Sequence, residues 1–315
     1  MRQEDSEQQL SRTVSWTICG PALVFAILLP TLVQAGQSQL GWSINAQNRY
    51  TNDRIHLNQT YRTVGDWRGQ LDLYLPESAK PVPVVLFFHG GGWLGPRPKE
   101  SRNLYLLPWL EMGYAVVNVD YRDGVMAKAP AMVEDARCAL RWVVDHANEY
   151  RIDLGRIITT GESMGSWLAL LTGMMPSSAG LDGCSGAPLP QAAAVIDWYG
   201  LTDVVAATGG RGAIRQTKAL ADWLDVPQRT FLSASVSPLT YVKAGAPPVM
   251  IIHGDADESI DYQHSIALDA ALRAAGVEHE FLTVHGGGHG QFVDGEQRRT
   301  WSAVQSFLIL HHLTP

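Results

Sequence analysis

The amino-acid sequence predicts an α/β protein: a doubly wound, mostly parallel sheet with helices on both faces. Two observations support this prediction. Continuous apolar runs, such as 84–88 and 115–119, are typical of strands that are buried on both faces of a sheet. These runs alternate along the chain with segments of helical apolar spacing, and such alternation indicates a parallel sheet covered on both sides.

Each strand is predicted from the pattern of residues within it. The first alternates at period two over 70–75 and ends at Pro76. Most of the others are short apolar runs, and the one at 157–160 is rich in β-branched residues. The strands are predicted at 70–75, 84–88, 115–119, 157–160, 193–196, 249–252 and 280–284.

Helices are predicted between these strands. Over 132–150 the apolar residues recur at intervals of three and four, as on one face of a helix. A helix-compatible run occupies 166–171, a helix over 266–275 is closed by Gly276, and a final helix occupies 301–310. Because doubly wound sheets carry their chemistry at the carboxyl ends of strands, the loops after residues 88, 160, 252 and 284 are the candidate functional loops.

The N-terminal region predicts export. Arg12 is the last charge before an uncharged run over 14–35, and residues 33–35 match the small-x-small pattern of a cleavage site. We therefore expect a signal peptide at 1–35 and a secreted or periplasmic protein. The alternative is an uncleaved signal anchor that tethers the chain to a membrane, but the apolar centre at 22–29 is shorter than the ~20 residues that a spanning helix needs.

The remaining chain is predicted to hold one domain. A polar lead-in segment at 36–60 precedes an α/β domain at 61–315. Within this domain, residues 200–246 interrupt the alternation and are either a cap insertion over the site or a set of surface helices. With 24 basic against 31 acidic residues the net charge is -7, so a nucleic-acid partner is not expected. After export Cys138 and Cys184 remain, and the sequence leaves open whether they pair or are separate apolar residues.

Ser163 is the candidate nucleophile. It lies in the sequence G-E-S-M-G at 161–165, between a predicted strand and a predicted helix. This is the setting of a nucleophile elbow, a turn so tight that glycines must flank the serine. The turn raises the hydroxyl above the sheet, near a helix N-terminus that stabilises developing negative charge.

The sequence H-G-G-G-W at 89–93 follows a predicted central strand and is the candidate oxyanion loop. Acyl transfer passes through a tetrahedral oxyanion, which backbone N–H groups stabilise, and glycines let the backbone approach closely. We expect the N–H groups of Gly91 and Gly92 to act with that of Met164. His89 is predicted to hold the loop, and Trp93 is a candidate substrate-binding residue.

The base and the acid are predicted on two late loops. His289 lies among glycines after the last strand, whereas its nearest rival, His285, directly follows that strand. In the loop after 249–252, Asp257 is placed to turn towards His289, and Asp255 is expected to bond the loop backbone. Ser163, Asp257 and His289 then follow in the chain order of a hydrolase triad, in which the histidine takes the serine proton and the acid orients the imidazole.

These motifs give the chain a family resemblance over about residues 60–310. It resembles the α/β-hydrolase esterases of the feruloyl-esterase-like and hormone-sensitive-lipase-like group. The residues that carry the resemblance are H-G-G-G-W at 89–93, D-Y-R at 120–122, V-E-D at 133–135, R-W at 141–142, G-E-S-M-G at 161–165, H-G-D-A-D at 253–257 and G-H-G at 288–290. The resemblance implies an α/β-hydrolase fold, no cofactor or metal, and the second aspartate of 253–257 as the acid.

Three positions depart from the pattern of such esterases. Met164 replaces the usual small residue after the nucleophile and is expected to narrow the acyl pocket. Ser166 stands where glycine is common, and Ile260-Asp261 stands where the group often has Val-Pro. These departures leave the acyl group open, since such esterases cleave esters ranging from short alkyl esters to hydroxycinnamoyl and acetyl groups on polysaccharide.

The resemblance also bears on the substrate and on two alternative functions. It implies a small-molecule or carbohydrate-linked acyl ester as substrate and leaves the oligomeric state open. A prolyl-oligopeptidase-like peptidase shares the nucleophile elbow but usually carries an N-terminal propeller, for which 315 residues leave no room. A catalytically silent binding protein typically loses the serine, the histidine or the glycines, and all of these are present here.

Overall fold

The structure is a computed structural model that describes residues 52–93, 103–209 and 214–315. The signal peptide predicted at 1–35 lies outside these residues. The strands are β1 (Ile55–Val64), β2 (Trp67–Tyr74), β3 (Val82–Phe88), β4 (Ala115–Val119), β5 (Ile152–Glu162), β6 (Ala194–Trp198), β7 (Val249–Gly254) and β8 (His279–Val284). The helices are α1 (Asn103–Met112), α2 (Ala131–Tyr150), α3 (Met164–Met174), α4 (Val204–Thr208), α5 (Thr217–Trp223), α6 (Arg229–Ser235), α7 (Gln263–Ala274) and α8 (Asp294–Leu310).

The strands of the described chain form one eight-stranded sheet in the order β1-β2-β4-β3-β5-β6-β7-β8. Neighbours from β4 to β8 are parallel, whereas β1 with β2 and β2 with β4 are antiparallel. The predicted mostly parallel sheet is therefore confirmed.

Apolar cores cover both faces of this sheet. All seven residues of β3 are buried, and its side chains alternate between the two cores: Leu86 and Phe88 join one, and Val85 and Phe87 join the other. A strand covered on both faces needs apolar side chains at every position, which is why the central strands read as continuous apolar runs.

Outside the segment 200–246, one strand and one helix of the described chain were absent from the sequence prediction. Strand β1 begins at Ile55, inside the segment predicted as a lead-in over 36–60, so the boundary at residue 61 is wrong. Its edge position leaves most of its side chains partly exposed, and its pairing with β2 shifts register twice, so no alternation is visible in the sequence. Helix α1 contains Pro108, which argues against a helix from sequence alone.

Several predicted elements extend further than their patterns. Strand β5 starts at Ile152 rather than at 157, and helix α8 starts at Asp294 rather than at 301. Helix α7 begins three residues before the predicted 266. Helix α2 matches its prediction, and it is capped after Tyr150 by Arg151. Arg151 adopts a left-handed conformation, with φ 53°, that glycine more often supplies.

The segment over 200–246 carries the short helices α4, α5 and α6, and residues 210–213 within it lie outside the described chain. It packs against the nucleophile side of the sheet, since the Trp167 indole N–H donates to the Val236 carbonyl oxygen at 2.7 Å. Trp223 of α5 also packs edge-on against Trp167, with ring centroids 5.6 Å apart. Whether this segment covers a bound substrate remains a prediction.

Cys138 and Cys184, whose pairing the sequence left open, form a disulfide with a Cα–Cα separation of 5.4 Å. The bond joins α2 to the loop after α3. An ion pair between Arg137 and Asp182 lies beside it, with the Arg137 Nε donating to a carboxylate oxygen at 2.9 Å.

Two kinds of feature are not found in the described residues. No helix of these ranges is both long and apolar enough to cross a membrane. Likewise, no group of three or more His, Cys, Asp or Glu side chains in the described part of the chain is arranged to hold a metal ion.

The four candidate functional loops begin at one edge of the sheet. Strands β3, β5, β7 and β8 are mutually parallel, and they end at Phe88, Glu162, Gly254 and Val284. The loops that follow therefore meet at the carboxyl edge, as the sequence predicted.

Candidate active site

Ser163 lies at the sharp turn between the last residue of β5 and the first residue of α3. Its φ of 57° and ψ of -122° belong to a region that non-glycine residues rarely adopt, at a cost of roughly 1–3 kcal/mol. The Ser163 N–H donates to the Trp198 carbonyl oxygen at 3.0 Å, which ties the turn to the end of β6. The serine hydroxyl thus stands at the carboxyl edge beside the N-terminus of α3.

The glycines on either side of this turn are required by close packing. A Cβ at Gly161 or at Gly165 would overlap the carbonyl oxygen of Phe88 in β3. Backbone atoms of a central strand cannot move aside, so only glycine fits at both positions. This contact is the physical basis of the G-x-S-x-G pattern in this chain.

The structure brings Ser163, His289 and Asp257 into one hydrogen-bonded line. The Ser163 Oγ lies 2.8 Å from His289 Nε2, and His289 Nδ1 lies 2.7 Å from Asp257 Oδ2. The histidine side chain is 25% exposed and the aspartate side chain is fully buried. The serine, the base and the acid predicted from sequence are therefore adjacent.

Asp257 accepts hydrogen bonds on both carboxylate oxygens. Its Oδ1 accepts from the N–H groups of Ser259 at 2.7 Å and Ile260 at 3.0 Å. Its Oδ2 lies near His289 Nδ1 and also 3.2 Å from His253 Nε2. Burial alone would raise the pKa of this carboxyl group, but the hydrogen bonds from His253 and His289 outweigh burial and hold the pKa below its usual range.

The rival residues Asp255 and His285 pair with each other, apart from this line. Asp255 Oδ2 lies 2.8 Å from His285 Nδ1, and Asp255 Oδ1 accepts from the Gly286 N–H at 2.6 Å. The His285 side chain is 86% exposed. Asp255 thus bonds the loop backbone, as expected, and neither residue reaches Ser163.

In the glycine loop after β3, two backbone N–H groups that have no acceptor among the described residues lie between two N–H groups that are hydrogen-bonded. The Gly90 N–H donates to Glu162 Oε1 at 3.3 Å, and the Trp93 N–H donates to Gln216 Oε1 at 2.9 Å. Between them, the N–H groups of Gly91 and Gly92 have no acceptor among the described residues. Gly92 also has a φ of 71°, a left-handed conformation suited to glycine.

His89 supports this loop, as the sequence predicted. Its ring stacks on Tyr121 with centroids 4.5 Å apart, and its Nδ1 lies 2.8 Å from the Gly90 carbonyl oxygen. The Tyr121 hydroxyl donates to the His89 carbonyl oxygen. The His89 imidazole is buried and supports the loop, and it is not part of the hydrogen-bonded line of Ser163, His289 and Asp257.

Gln216 is a residue of this site that the sequence did not reveal. Its side-chain amide lies against Gly92, where a Cβ would overlap it. The preceding residue, Arg215, donates its N–H to the Ser259 carbonyl oxygen at 2.8 Å, in the loop that carries the acid. Residues 215–216 therefore link the glycine loop to the acid loop. The contact between Gln216 and Trp93 joins positions 123 apart, so it leaves no local pattern in the sequence.

Tyr199 is a second residue of this site that was not predicted from the sequence. Its ring packs edge-on against His289, with centroids 4.7 Å apart, and its φ of 46° is unusual for a tyrosine. The Tyr199 hydroxyl donates to Tyr105 at 2.7 Å and lies 3.3 Å from Glu162 Oε2. Because Tyr199 directly follows β6, at the carboxyl edge of the sheet, its position along the chain is one that could have indicated a place in the site.

Trp93 and Met164 lie against the site but are buried. Trp93 is 4% exposed and Met164 is 2% exposed. The Trp93 ring packs against Trp167 of α3, with centroids 6.0 Å apart. That Trp93 binds substrate and that Met164 narrows the acyl pocket both remain predictions.

A family model and several curated proteins match a large part of this chain. The model of the BD-FAE family matches residues 71–272. The chain is 28% identical to esterase LipQ of Mycobacterium tuberculosis, covering 67% of this chain and 51% of that protein. It is likewise 28% identical to the carboxylic ester hydrolase LipN of the same organism, covering 71% and 61%. The chain thus spans about half to three-fifths of the length of these curated relatives.

Solved structures share the fold. Thermogutta terrifontis esterase 2 superposes with a TM-score of 0.70 at 26% identity, covering 82% of this chain and 95% of that one. A truncated carbohydrate esterase from gut microbiota superposes with a TM-score of 0.69 at 24% identity, covering 84% and 98%. The sheet and its helices therefore form an α/β-hydrolase fold.

Proposed function

The chain belongs to the BD-FAE family, and we propose that it is a serine carboxylesterase that hydrolyses acyl esters through an acyl-enzyme intermediate. The observation that carries the proposal is the line from Ser163 Oγ through His289 to the buried Asp257 carboxylate. The ester bond as the target is supported by relatives that are named esterase or carboxylic ester hydrolase.

In the proposed acylation step, His289 Nε2 accepts the Ser163 proton while the serine oxygen attacks the ester carbonyl carbon. Asp257 accepts the Nδ1–H of His289, which fixes the tautomer and stabilises the imidazolium that forms. The imidazolium then gives its proton to the leaving alcohol. A water molecule, activated by the same imidazole, hydrolyses the acyl-enzyme and restores Ser163.

The oxyanion that forms in each step needs hydrogen-bond donors. We assign this role to the N–H groups of Gly91 and Gly92 and to that of Met164 at the start of α3. Support comes from the two glycine amides, which lack an acceptor in the described chain although both flanking amides have one. One such donor contributes roughly 2.7–4 kcal/mol to transition-state stabilisation.

The proposed substrate is a small-molecule or carbohydrate-linked acyl ester. Hydrolysis rates across a panel of p-nitrophenyl esters of increasing chain length, and across hydroxycinnamoyl esters, will identify the acyl group. If none of these esters is cleaved, the proposed substrate class is wrong.

Substitution of Ser163 tests the proposal. Ser163→Ala removes the attacking oxygen, and we expect kcat on p-nitrophenyl acetate to fall by roughly 10⁵-fold or more, as for other triad serines. The matched control is Ser302→Ala, on the exposed surface of α8, which should leave kcat unchanged. If Ser163→Ala keeps most of the wild-type kcat, the mechanism is wrong.

We also propose that the protein is exported after removal of residues 1–35. The disulfide between Cys138 and Cys184 supports this proposal, because disulfides persist mainly in oxidising compartments. N-terminal sequencing of the protein from its source cells should begin at Gly36, and a chain that retains Met1 would contradict cleavage.

A further inference from the structure

His253 is a fully buried histidine beside the proposed triad. It lies near the end of β7 and four residues before Asp257, and its side chain has no exposed surface. In the sequence it is the first residue of the segment H-G-D-A-D at 253–257, and no separate role is predicted for it. In the structure, however, every polar atom of its ring has a partner, and one partner is the proposed acid.

The partners of the ring determine where its protons lie. His253 Nε2 lies 3.2 Å from Asp257 Oδ2 and 3.1 Å from the Ile260 carbonyl oxygen. A carbonyl oxygen and a carboxylate only accept hydrogen bonds, so Nε2 must carry a proton. His253 Nδ1 lies 2.7 Å from the hydroxyl of Ser265 in α7, which can donate to it. The Ser265 hydroxyl thereby favours the neutral tautomer with its proton on Nε2.

Asp257 Oδ2 is consequently shared by two imidazoles. His289 Nδ1 reaches it at 2.7 Å from the site, and His253 Nε2 reaches it at 3.2 Å from the core. We infer that His253 is a positioning residue for the acid: it fixes the direction in which Asp257 Oδ2 faces His289 and moderates the negative charge that His289 meets. This inference rests on the proposed function, because it assigns a role within the same triad.

The two effects of His253 have different kinetic consequences. Fixing Oδ2 preserves the geometry of proton transfer, so losing the N–H should lower kcat with little change in KM. Moderating the charge weakens the attraction between Asp257 and the protonated His289. Without the second N–H the protonated form of His289 gains stability, and the acid limb of the pH–rate profile should move to higher pH.

Four titratable side chains of the described chain face the His253 ring. The titratable side chains that face His253 are Asp257, the buried Asp197 of β6, Tyr199 and Tyr262. Burial raises the pKa of Asp197, whose Oδ1 lies 2.5 Å from the Ser166 hydroxyl. Asp257 lies within hydrogen-bond distance of the His253 ring, whereas the rings of Tyr199 and Tyr262 pack edge-on against it.

The test compares two substitutions of His253 with a matched control. His253→Leu removes the N–H, whereas His253→Gln keeps an N–H at about the place of Nε2. The control is His279→Leu, because His279 also contacts an aspartate through Nε2, Asp269 at 3.1 Å, on another part of the molecule. For each variant, kcat, KM and the acid limb of kcat/KM are measured on p-nitrophenyl acetate, with Ser163→Ala in the same assay.

We expect His253→Leu to lower kcat roughly 10–100-fold with KM within about twofold, and to raise the acid limb by about half a pH unit. His253→Gln should restore most of kcat, and His279→Leu should match wild type. A folded His253→Leu with wild-type kcat and an unmoved acid limb would overturn the inference. Equal losses of kcat in His253→Leu and His253→Gln, with no shift of the acid limb, would also overturn the inference, because His253 would then contribute only packing.

A measurement on an intact core covers the case in which His253→Leu does not fold. In protein labelled with ¹⁵N-histidine, Asp257→Asn should shift the resonances of both His253 and His289, whereas Asp255→Asn should shift neither. If His253 resonances stay unchanged in Asp257→Asn, the inference is wrong. Failure of the proposed function is distinguishable, because Ser163→Ala would then retain activity whatever His253 does.

Discussion

At the scale of single residues, the defining feature of the site is a buried carboxylate with four hydrogen-bond donors. Asp257 receives two backbone N–H groups and two imidazoles and has no exposed side-chain surface. Its lowered pKa keeps it ionised at any pH at which an imidazole changes charge. Stability from this ionised group is present above the unfolded pKa of about 3.9 and is lost as pH falls through the lower folded pKa.

Two aspartates in the same loop offer a matched prediction. Asp257→Asn leaves an amide in place of the acceptor for His289 Nδ1–H, so we expect kcat to fall by roughly 10³–10⁴-fold. Asp255→Asn disturbs the pair with the exposed His285 and the hydrogen bond from the Gly286 N–H, neither of which involves Ser163, His289 or Asp257, and should change kcat less than about twofold. The measurement is kcat on p-nitrophenyl acetate for both variants. An equal loss in the two would show that the loop, rather than Asp257, is responsible.

Some site residues can be predicted from the sequence because they belong to local motifs. Others cannot, because their role depends on contacts between distant segments. Ser163 and His289 carry local glycine patterns, and the positions of these patterns after strands follow from the topology. Gln216 acts through a contact between distant segments, which leaves no local pattern, whereas Tyr199 is marked in the sequence only by its position directly after β6. His253 lies within a recognised motif, but its direction into the core depends on the register of β7.

At the scale of elements, the nucleophile turn depends on how closely α3 approaches β3. This approach can be predicted from glycines around a serine between a strand and a helix. The edge strand β1 and the proline-containing α1 could not be predicted, since one is half exposed and irregular in pairing and the other contradicts helix propensity. Buried central elements have strong patterns because packing on two sides constrains every residue.

Gly165 provides a test of this close approach. In Gly165→Ala the added Cβ would overlap the carbonyl oxygens of Phe88 and His89, so we expect the free energy of unfolding to fall by about 3 kcal/mol or more. Gly295, in α8, has open space around its Cβ position, and Gly295→Ala should leave stability within about 1 kcal/mol of wild type or raise it. Urea unfolding measures both, and similar midpoints would refute the packing argument.

At the scale of the whole molecule, one covalent bond joins distant parts of the chain. The disulfide between Cys138 and Cys184 spans 46 residues and ties α2 to the loop after α3. The two cysteines can be identified from the sequence but not their pairing, because pairing requires the 5.4 Å Cα separation that the packing of α2 against the loop after α3 creates.

Removal of this bond should affect stability rather than chemistry. In Cys138→Ala/Cys184→Ala we expect the free energy of unfolding to fall by about 2–4 kcal/mol, because the unfolded chain gains freedom. The value of kcat well below the melting temperature should stay near wild type, since neither cysteine contacts the Ser163 line. Thermal unfolding of the variant, and of wild type with and without reductant, measures this. A variant as stable as oxidised wild type would contradict the expectation.

The central claim is that Ser163, activated by His289 and Asp257, attacks the substrate carbonyl. The most direct measurement is covalent trapping with a p-nitrophenyl alkylphosphonate, followed by intact-mass analysis and peptide mapping. We predict one phosphonyl group per chain, located on Ser163, and a loss of esterase activity in proportion to labelling. Full activity in a chain labelled at Ser163, or proportional inactivation by an adduct elsewhere, would contradict the claim.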